Sequence, residues 1–268
     1  MAKSRFYILE SAEWEVPRNQ IIRPETPEIE AQNLRMILPS YCVLIEHPTL
    51  GRVLYDTGIA EDYAAIWPDE MLDLYRFDRL RSLRDSLAAL QLTPADIDLI
   101  IMSHLHYDHA GNLRLFAGTK AGQKVLVSAA ELTDAVQSVE ASANGVSGAY
   151  FGPEFNGIAG ISYETVSGDT VLAEGLELIA LDGHTRGLLG LLVETENTGT
   201  VLFPSDAVYT ALHYGPPIVY PSLCMNPEAY KANIERLEEI RAARNGTIFF
   251  SHDIDAYRMM KKAPDCYD

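Results

Sequence analysis

Residues 99–112 read LIIMSHLHYDHAGN, with three histidines and an aspartate packed into six positions directly after an apolar run. Such a run favours a buried strand, while imidazole and carboxylate lose their hydration on burial and need partners in return. Any fold for this chain must therefore bring further polar groups to the end of that strand. His104 and His106 are two apart, so their side chains can leave a strand end on one face. Asp108 and His109 follow in the turn. Four ligand groups without a thiolate suit Zn²⁺ and tolerate Mn²⁺, Fe²⁺ or Co²⁺. One metal could take His104 and His106, and a second Asp108 and His109. These groups are too many for one closed site and too few for two, so more must come from elsewhere.

The rest of the chain offers them. Of the seven histidines, His184 lies in LIALDGHTRG and His252 closes TIFFSHD, while Asp206 closes TVLFPSD. Each is a ligand type at the tip of an apolar strand, which is how a fold presents ligands along one rim. Any one alone reads as a strand-end residue bonded to nearby backbone; the set, beside SHLHYDH, reads as a metal centre. His47, beside Pro48, and His213, in ALHYGPP, have no such context and are read as non-ligands, with His213 a candidate for pocket lining.

The periodicities around these motifs set the expected architecture. Strands are expected at 5–10, 36–47, 51–58, 97–102, 124–128, 161–166, 176–181, 188–195, 200–205 and 247–253. Residues 11–33 read as a polar meander, and 144–160, rich in Gly and aromatics, as a loop. The leucines at 72, 74, 80, 83, 87 and 90 predict an amphipathic helix over 70–91. A second helix follows Ser128, whose spacing to Glu131 is that of a capping box. A third begins at Pro227 and stops before Gly246. Strand-rich, helical, strand-rich and helical stretches alternate, so an α/β fold of two sheets with helices on both outer faces, an αββα sandwich, accommodates the order. No linker divides residues 1–268, so one domain is expected.

Composition narrows the function classes. The formal net charge of −17 disfavours a nucleic-acid partner. The N-terminus carries no secretory pattern, and no apolar stretch reaches membrane-spanning length. Three scattered cysteines, Cys42, Cys224 and Cys266, suggest neither a disulfide scaffold nor a thiolate site, so a reducing cytoplasm is the expected location. A homodimer is compatible with the sequence but not required by it.

SHLHYDH resembles the H-x-H-x-D-H motif of the metallo-β-lactamase superfamily, and the spacing to His184, Asp206 and His252 is similar to that family's later ligand motifs. The resemblance runs from YDTG to FFSHD and implies the four-layer αββα fold. It also implies that His104, His106 and His184 hold one metal and Asp108, His109 and His252 a second, with Asp206 bridging. Asp56, in LYDTG, matches a position that supports the ligands from behind. SDAVYT, with Tyr209 three residues after Asp206, is similar to the D-A-x-Y-T stretch of the N-acyl-homoserine lactonases and 4-pyridoxolactonase-like enzymes. In that branch the tyrosine polarises the substrate carbonyl, so the resemblance implies a quorum-quenching type of lactonase. The branch commonly has GHTPGH where this chain has GHTRGLLG, so Arg186 and Leu188 are departures that bear on the substrate.

The expected chemistry is hydrolysis of a small-molecule lactone or related ester by two divalent metals, most simply Zn²⁺, which acidify water between them. Tyr209 would stabilise the oxyanion and Asp108 would protonate the leaving alkoxide. No G-x-S-x-G elbow points to a serine hydrolase. Thioester, β-lactam or phosphodiester hydrolysis, and non-catalytic metal binding, are the alternatives. Trp14, Met36, Tyr63, Trp67, Tyr150, Phe151, Phe155 and Tyr214 are candidates for an apolar wall, and 144–160 for a rim loop.

Overall fold

A computed structural model describes residues 3–268. The first half supplies β1 (Arg5–Pro17), β2 (Arg35–His47), β3 (Gly51–Tyr55), β4 (Arg76–Leu80), β5 (Leu99–Ile101) and β6 (Val125–Ser128). A short ribbon, β7 (Val146–Ser147) and β8 (Tyr150–Phe151), precedes β9 (Tyr163–Val166). Then come β10 (Thr170–Ala173), β11 (Leu176–Ala180), β12 (Leu189–Glu194), β13 (Thr200–Phe203) and β14 (Thr247–Ile248). Seven strands form one sheet in the order β4-β1-β2-β3-β5-β6-β9, and five form another, β10-β11-β12-β13-β14.

The side-chain alternation shows why the sheets stack. Phe6, Ile8, Val43, Ile45, Val53 and Ile101 leave one face of the first sheet and meet Leu178, Leu191, Val193 and Phe203 of the second. Their strand neighbours Leu9, Leu44, Leu54, Ile100 and Val127 leave the opposite face and pack on Leu83, Leu87, Ala135 and Val139 of flanking helices. The outer face of the second sheet, with Ile179, Leu192 and Leu202, is covered by Tyr230, Ile234 and Leu237 of helix Pro227–Arg244. Apolar residues on both faces of a strand require cover on both sides, and the four layers supply it. No helix among the described residues is long and apolar enough to cross a membrane.

Several boundaries differ from those read in the sequence. Residues 70–91 are not one helix: short helices Asp69–Leu74 and Leu83–Ala88 flank β4, which pairs with β1 through Trp14 and Phe77. The leucine spacing imitates a helix, but RFDRL also alternates, and the open edge of β1 captures it. The expected meander is strand as far as Pro17, because β1 continues past a bulge near Glu10 and pairs with residues 35–40. The 97–102 strand keeps only Leu99–Ile101, after a turn at Pro94–Asp96. The 247–253 strand stops at Ile248, and His252 lies in the turn beyond it. The expected loop 144–160 contains the β7–β8 ribbon. Helix Pro227–Arg244 begins as expected, with the Asn226 side chain accepting from Ala229 N.

Candidate metal centre

Strand direction puts the chemistry on one rim. β5 runs parallel to β3 in the first sheet, and β13 runs parallel to β14 in the second. The ends of β3, β5, β13 and β14, with the loop from β11 to β12, deliver Asp56, His104–His109, Asp206, His252 and His184. All are buried.

The structure brings together all seven residues singled out as ligands. His104, His106, His184 and Asp206 offer ligand atoms within 4.8 Å of one another, and so do Asp108, His109, Asp206 and His252. Nε2 of His184 lies 3.0 Å from His106 Nδ1, and His104 Nε2 3.1 Å from the same atom. Asp206 faces both groups, one oxygen to each. Its Oδ2 is 3.5 Å from His184 Nε2 and 3.7 Å from His104 Nε2; its Oδ1 is 3.1 Å from His252 Nε2 and 3.3 Å from His109 Nε2. Asp108 Oδ2 is 3.5 Å from His252 Nε2 and 3.7 Å from His109 Nε2. Ligands about 2.05 Å from a tetrahedral zinc are about 3.3 Å apart, so these separations suit metal ions at both groups.

The outward-facing nitrogens are anchored. The His184 and His252 Nδ1 atoms lie 3.0 Å from Leu223 O and 2.9 Å from Pro39 O, and with Nε2 turned inward each donates there. His109 Nδ1 meets Asp56 Oδ2 at 2.8 Å, while the same carboxylate accepts from Ser103 N at 2.7 Å and Ser103 Oγ at 2.8 Å. Asp56 adopts φ 62°, an uncommon conformation that aims one side chain at both ends of the His104–His109 turn. Such outer contacts fix the tautomer and orientation of ligating imidazoles. By contrast, His109 Nε2 and Asp206 Oδ1 are buried without a hydrogen-bond partner. Buried polar atoms rarely stay unsatisfied, and two at the centre of a ligand cluster fit a cation.

The electrostatics agree. Burial, with the neighbouring imidazoles, pushes His104 and His106 well below the ordinary histidine range, and burial lowers His184 too. These rings are neutral, as a ligand must be. For His109 and His252 burial opposes protonation, but Asp206 and Asp108 outweigh it and raise both. Burial likewise opposes ionisation of Asp206, yet His252 and His109 hold it well below the carboxylate range. A divalent cation entering the second group would displace the protons of His109 and His252.

Two buried carboxylates take parts that the sequence did not assign to them. Glu131 does not form a capping box; its Oε1 accepts from Leu105 N at 2.9 Å and from Tyr150 OH at 3.0 Å. It thus braces the backbone between His104 and His106, while Tyr150 lies against the His106 ring at 4.6 Å. Gly187 permits this, since a Cβ there would come within 2.4 Å of Glu131 N. The second is Glu154, which accepts from Trp67 Nε1 at 2.8 Å and is pushed up to about 8 by burial. Its folded value lies above the unfolded one, so stability is lost as pH rises from about 4.5 to about 8 and is flat above. Glu154→Gln should therefore match wild type near pH 4.5 and gain on it up to pH 8, by on the order of 4 kcal/mol. Urea midpoints measured across that range check this, and a pH-independent difference would refute it.

The groups open into a cavity of about 420 Å³, within the range of small-molecule sites. Trp14, Val16, Leu38, Met71 and Leu223 give it apolar walls, and Tyr209 lies beside Asp108, Asp206 and His252. Of the expected wall only Trp14 lines it. Phe151 and Phe155 are core residues, Tyr63 and Trp67 pack behind Trp14, Met36 joins that cluster, and Tyr214 lines a separate groove. Arg186 turns outward to pair with Asp134, and Leu188 is core, so neither departure reaches the cavity. His213 is buried and lies outside both ligand groups.

Two stacked sheets carrying histidine and aspartate clusters suited to two metals along a shared rim are the features of one protein superfamily. The chain belongs to it: residues 36–252 match the metallo-β-lactamase superfamily. An N-acyl homoserine lactonase from a Bacillus species is 29% identical over 236 residues, covering 85% of this chain and 86% of the relative. The lactonase AiiB of Rhizobium rhizogenes is 26% identical over 279 residues, covering 98% of each. A solved N-acyl homoserine lactone hydrolase, with N-hexanoyl-L-homoserine at its catalytic metal centre, superposes with a TM-score of 0.82 over the whole of both chains at 24% identity.

Proposed function

We propose that this chain is a dinuclear, zinc-dependent lactonase that opens the ring of a small-molecule lactone. The observation carrying this reading is Asp206, whose two oxygens each face a separate histidine group at the floor of an apolar cavity. The lactonase relatives, alike over 85% or more of the chain, support the substrate class. In this reading His104, His106 and His184 hold one metal, Asp108, His109 and His252 the other, and Asp206 lies between. Since both sheets contribute ligands, residues 1–268 act as one hydrolase domain.

Metal held there would supply a nucleophile from water at neutral pH and would polarise the ester carbonyl. The protein's own groups do the rest. With His184 Nε2 facing its ligand group, Nδ1 carries a hydrogen directed at Leu223 O and has no lone pair to accept from the Tyr209 hydroxyl 3.1 Å away. That leaves the Tyr209 hydroxyl proton free to donate to the developing oxyanion. Asp108 lines the cavity beside the second group, where its carboxylate can take the proton left by the attacking water and pass it to the leaving ring oxygen. The apolar walls take the ring substituent and exclude water from it.

A panel tests the reading: zinc-loaded protein assayed on lactones, a thioester, a β-lactam and bis-p-nitrophenyl phosphate. Preferential lactone hydrolysis, lost on chelation and restored by Zn²⁺, is expected. Cleavage of another class with lactones untouched would overturn the lactonase reading. A protein that neither binds metal nor hydrolyses any of them would overturn the enzyme reading as well.

A further inference from the structure

Above the metal rim, a chain of hydrogen bonds leads to a side chain that no catalytic step uses. Tyr107, between His106 and Asp108 in sequence, lies with its hydroxyl 2.5 Å from that of Tyr75, and Tyr75 OH lies 3.2 Å from Gln20 Oε1. All three residues line the same cavity. A carbonyl oxygen only accepts, so Tyr75 must spend its single proton on Gln20, and Tyr107 must then donate to Tyr75. The Gln20 amide is thereby oriented, with Nε2 given no protein partner among the described residues.

The surroundings hold this arrangement in place. Trp14 packs against Tyr75 at 4.8 Å and edge-on to Tyr107 at 6.1 Å, so the phenols cannot swing away. Burial pushes Tyr75 up to about 12, so it remains a donor at neutral pH. The segment carrying Gln20 is tied from two sides: His213 Nε2 donates to Ile21 O at 3.3 Å, and Ser222 Oγ to Asn19 O at 2.5 Å. The cavity lining includes Glu70, Asp108 and Asp206 but no lysine or arginine, which disfavours an anionic ligand.

We propose that Gln20 is a specificity-determining residue, whose amide Nε2, positioned by Tyr107 and Tyr75, donates to a carbonyl oxygen on the ring substituent of a neutral lactone. This rests on the lactonase reading and adds the feature of the substrate that the cavity selects.

The test compares two γ-lactones with ring substituents of equal length, one joined through an acylamino group and one purely alkyl. Zinc-loaded wild type, Gln20→Ala, Gln20→Glu and Tyr75→Phe are assayed on both, with metal content and thermal unfolding recorded for each. Gln20→Ala and Gln20→Glu should raise KM for the acylamino lactone about three- to tenfold, the worth of one neutral hydrogen bond. Their kcat, and both constants for the alkyl lactone, should stay within about twofold. Tyr75→Phe, which frees the amide to rotate, should shift KM the same way by less. Equal losses on both lactones, or no change on either, would overturn the role of Gln20 and leave the lactonase reading intact. Wild type that hydrolyses neither lactone overturns both.

Discussion

Asp206→Asn is expected to remove nearly all activity, by about a thousandfold or more in kcat/KM, and to lower bound metal from two toward one per chain. The carboxylate is the one group shared by both ligand clusters. Asparagine keeps its shape but offers one oxygen and no charge, and an amide NH₂ cannot ligate. The first group retains three imidazoles, enough to hold a metal weakly. The second keeps His109, His252 and Asp108 but loses the facing carboxylate oxygen, 3.1 and 3.3 Å from its two imidazoles. Elemental metal analysis beside steady-state kinetics measures both effects. Two metals and activity within tenfold of wild type would mean that Asp206 does not bridge.

Tyr209→Phe is expected to act differently: kcat should fall about a hundredfold, the usual worth of an oxyanion donor, with metal content and KM little changed. The ring is buried against His184 and His252, and phenylalanine retains that packing. His184 Nδ1 keeps its bond to Leu223 O, so the imidazole should not turn. The pairing of readouts is what makes the test decisive. Metal lost together with activity would show that Tyr209 only positions His184, and unchanged kcat would remove it from the chemistry.

That these seven side chains would meet was legible in the sequence, because His184, Asp206 and His252 follow apolar runs, because SHLHYDH is too polar to finish a buried strand without partners, and because the spacing resembles that of the superfamily. Four layers followed from the alternation of strand-rich and helical stretches, and the structure supplies the reason, since strands such as Phe6–Leu9 and Leu99–Ile101 are buried on both faces. What the sequence misplaced depends on contacts between distant segments. Residues 76–80 read as helix because leucine spacing is local, whereas their fate is set by the edge of β1. Glu131 sits three residues after Ser128 as a capping glutamate would, and only the approach of Leu105 N redirects it. The cavity wall was misread for the same reason. Aromatic residues are abundant, and which of them face the metal rim is decided by the β1–β2 arm and the short helices around residues 18–21 and 69–74.

The division of the ligands between the sheets has a consequence for how the molecule holds together. With ions bound, pulling the layers apart would mean stripping each ion of donors from both sides, so the rim would work as a clasp. An ion that binds only the closed form at a thousand times its dissociation constant adds about 4 kcal/mol. That is a sizeable share of the roughly 5–15 kcal/mol by which domains hold together at all. The same ions that would open a substrate ring would then also act as rivets, and the availability of metal around the protein would govern how firmly its two halves stay shut.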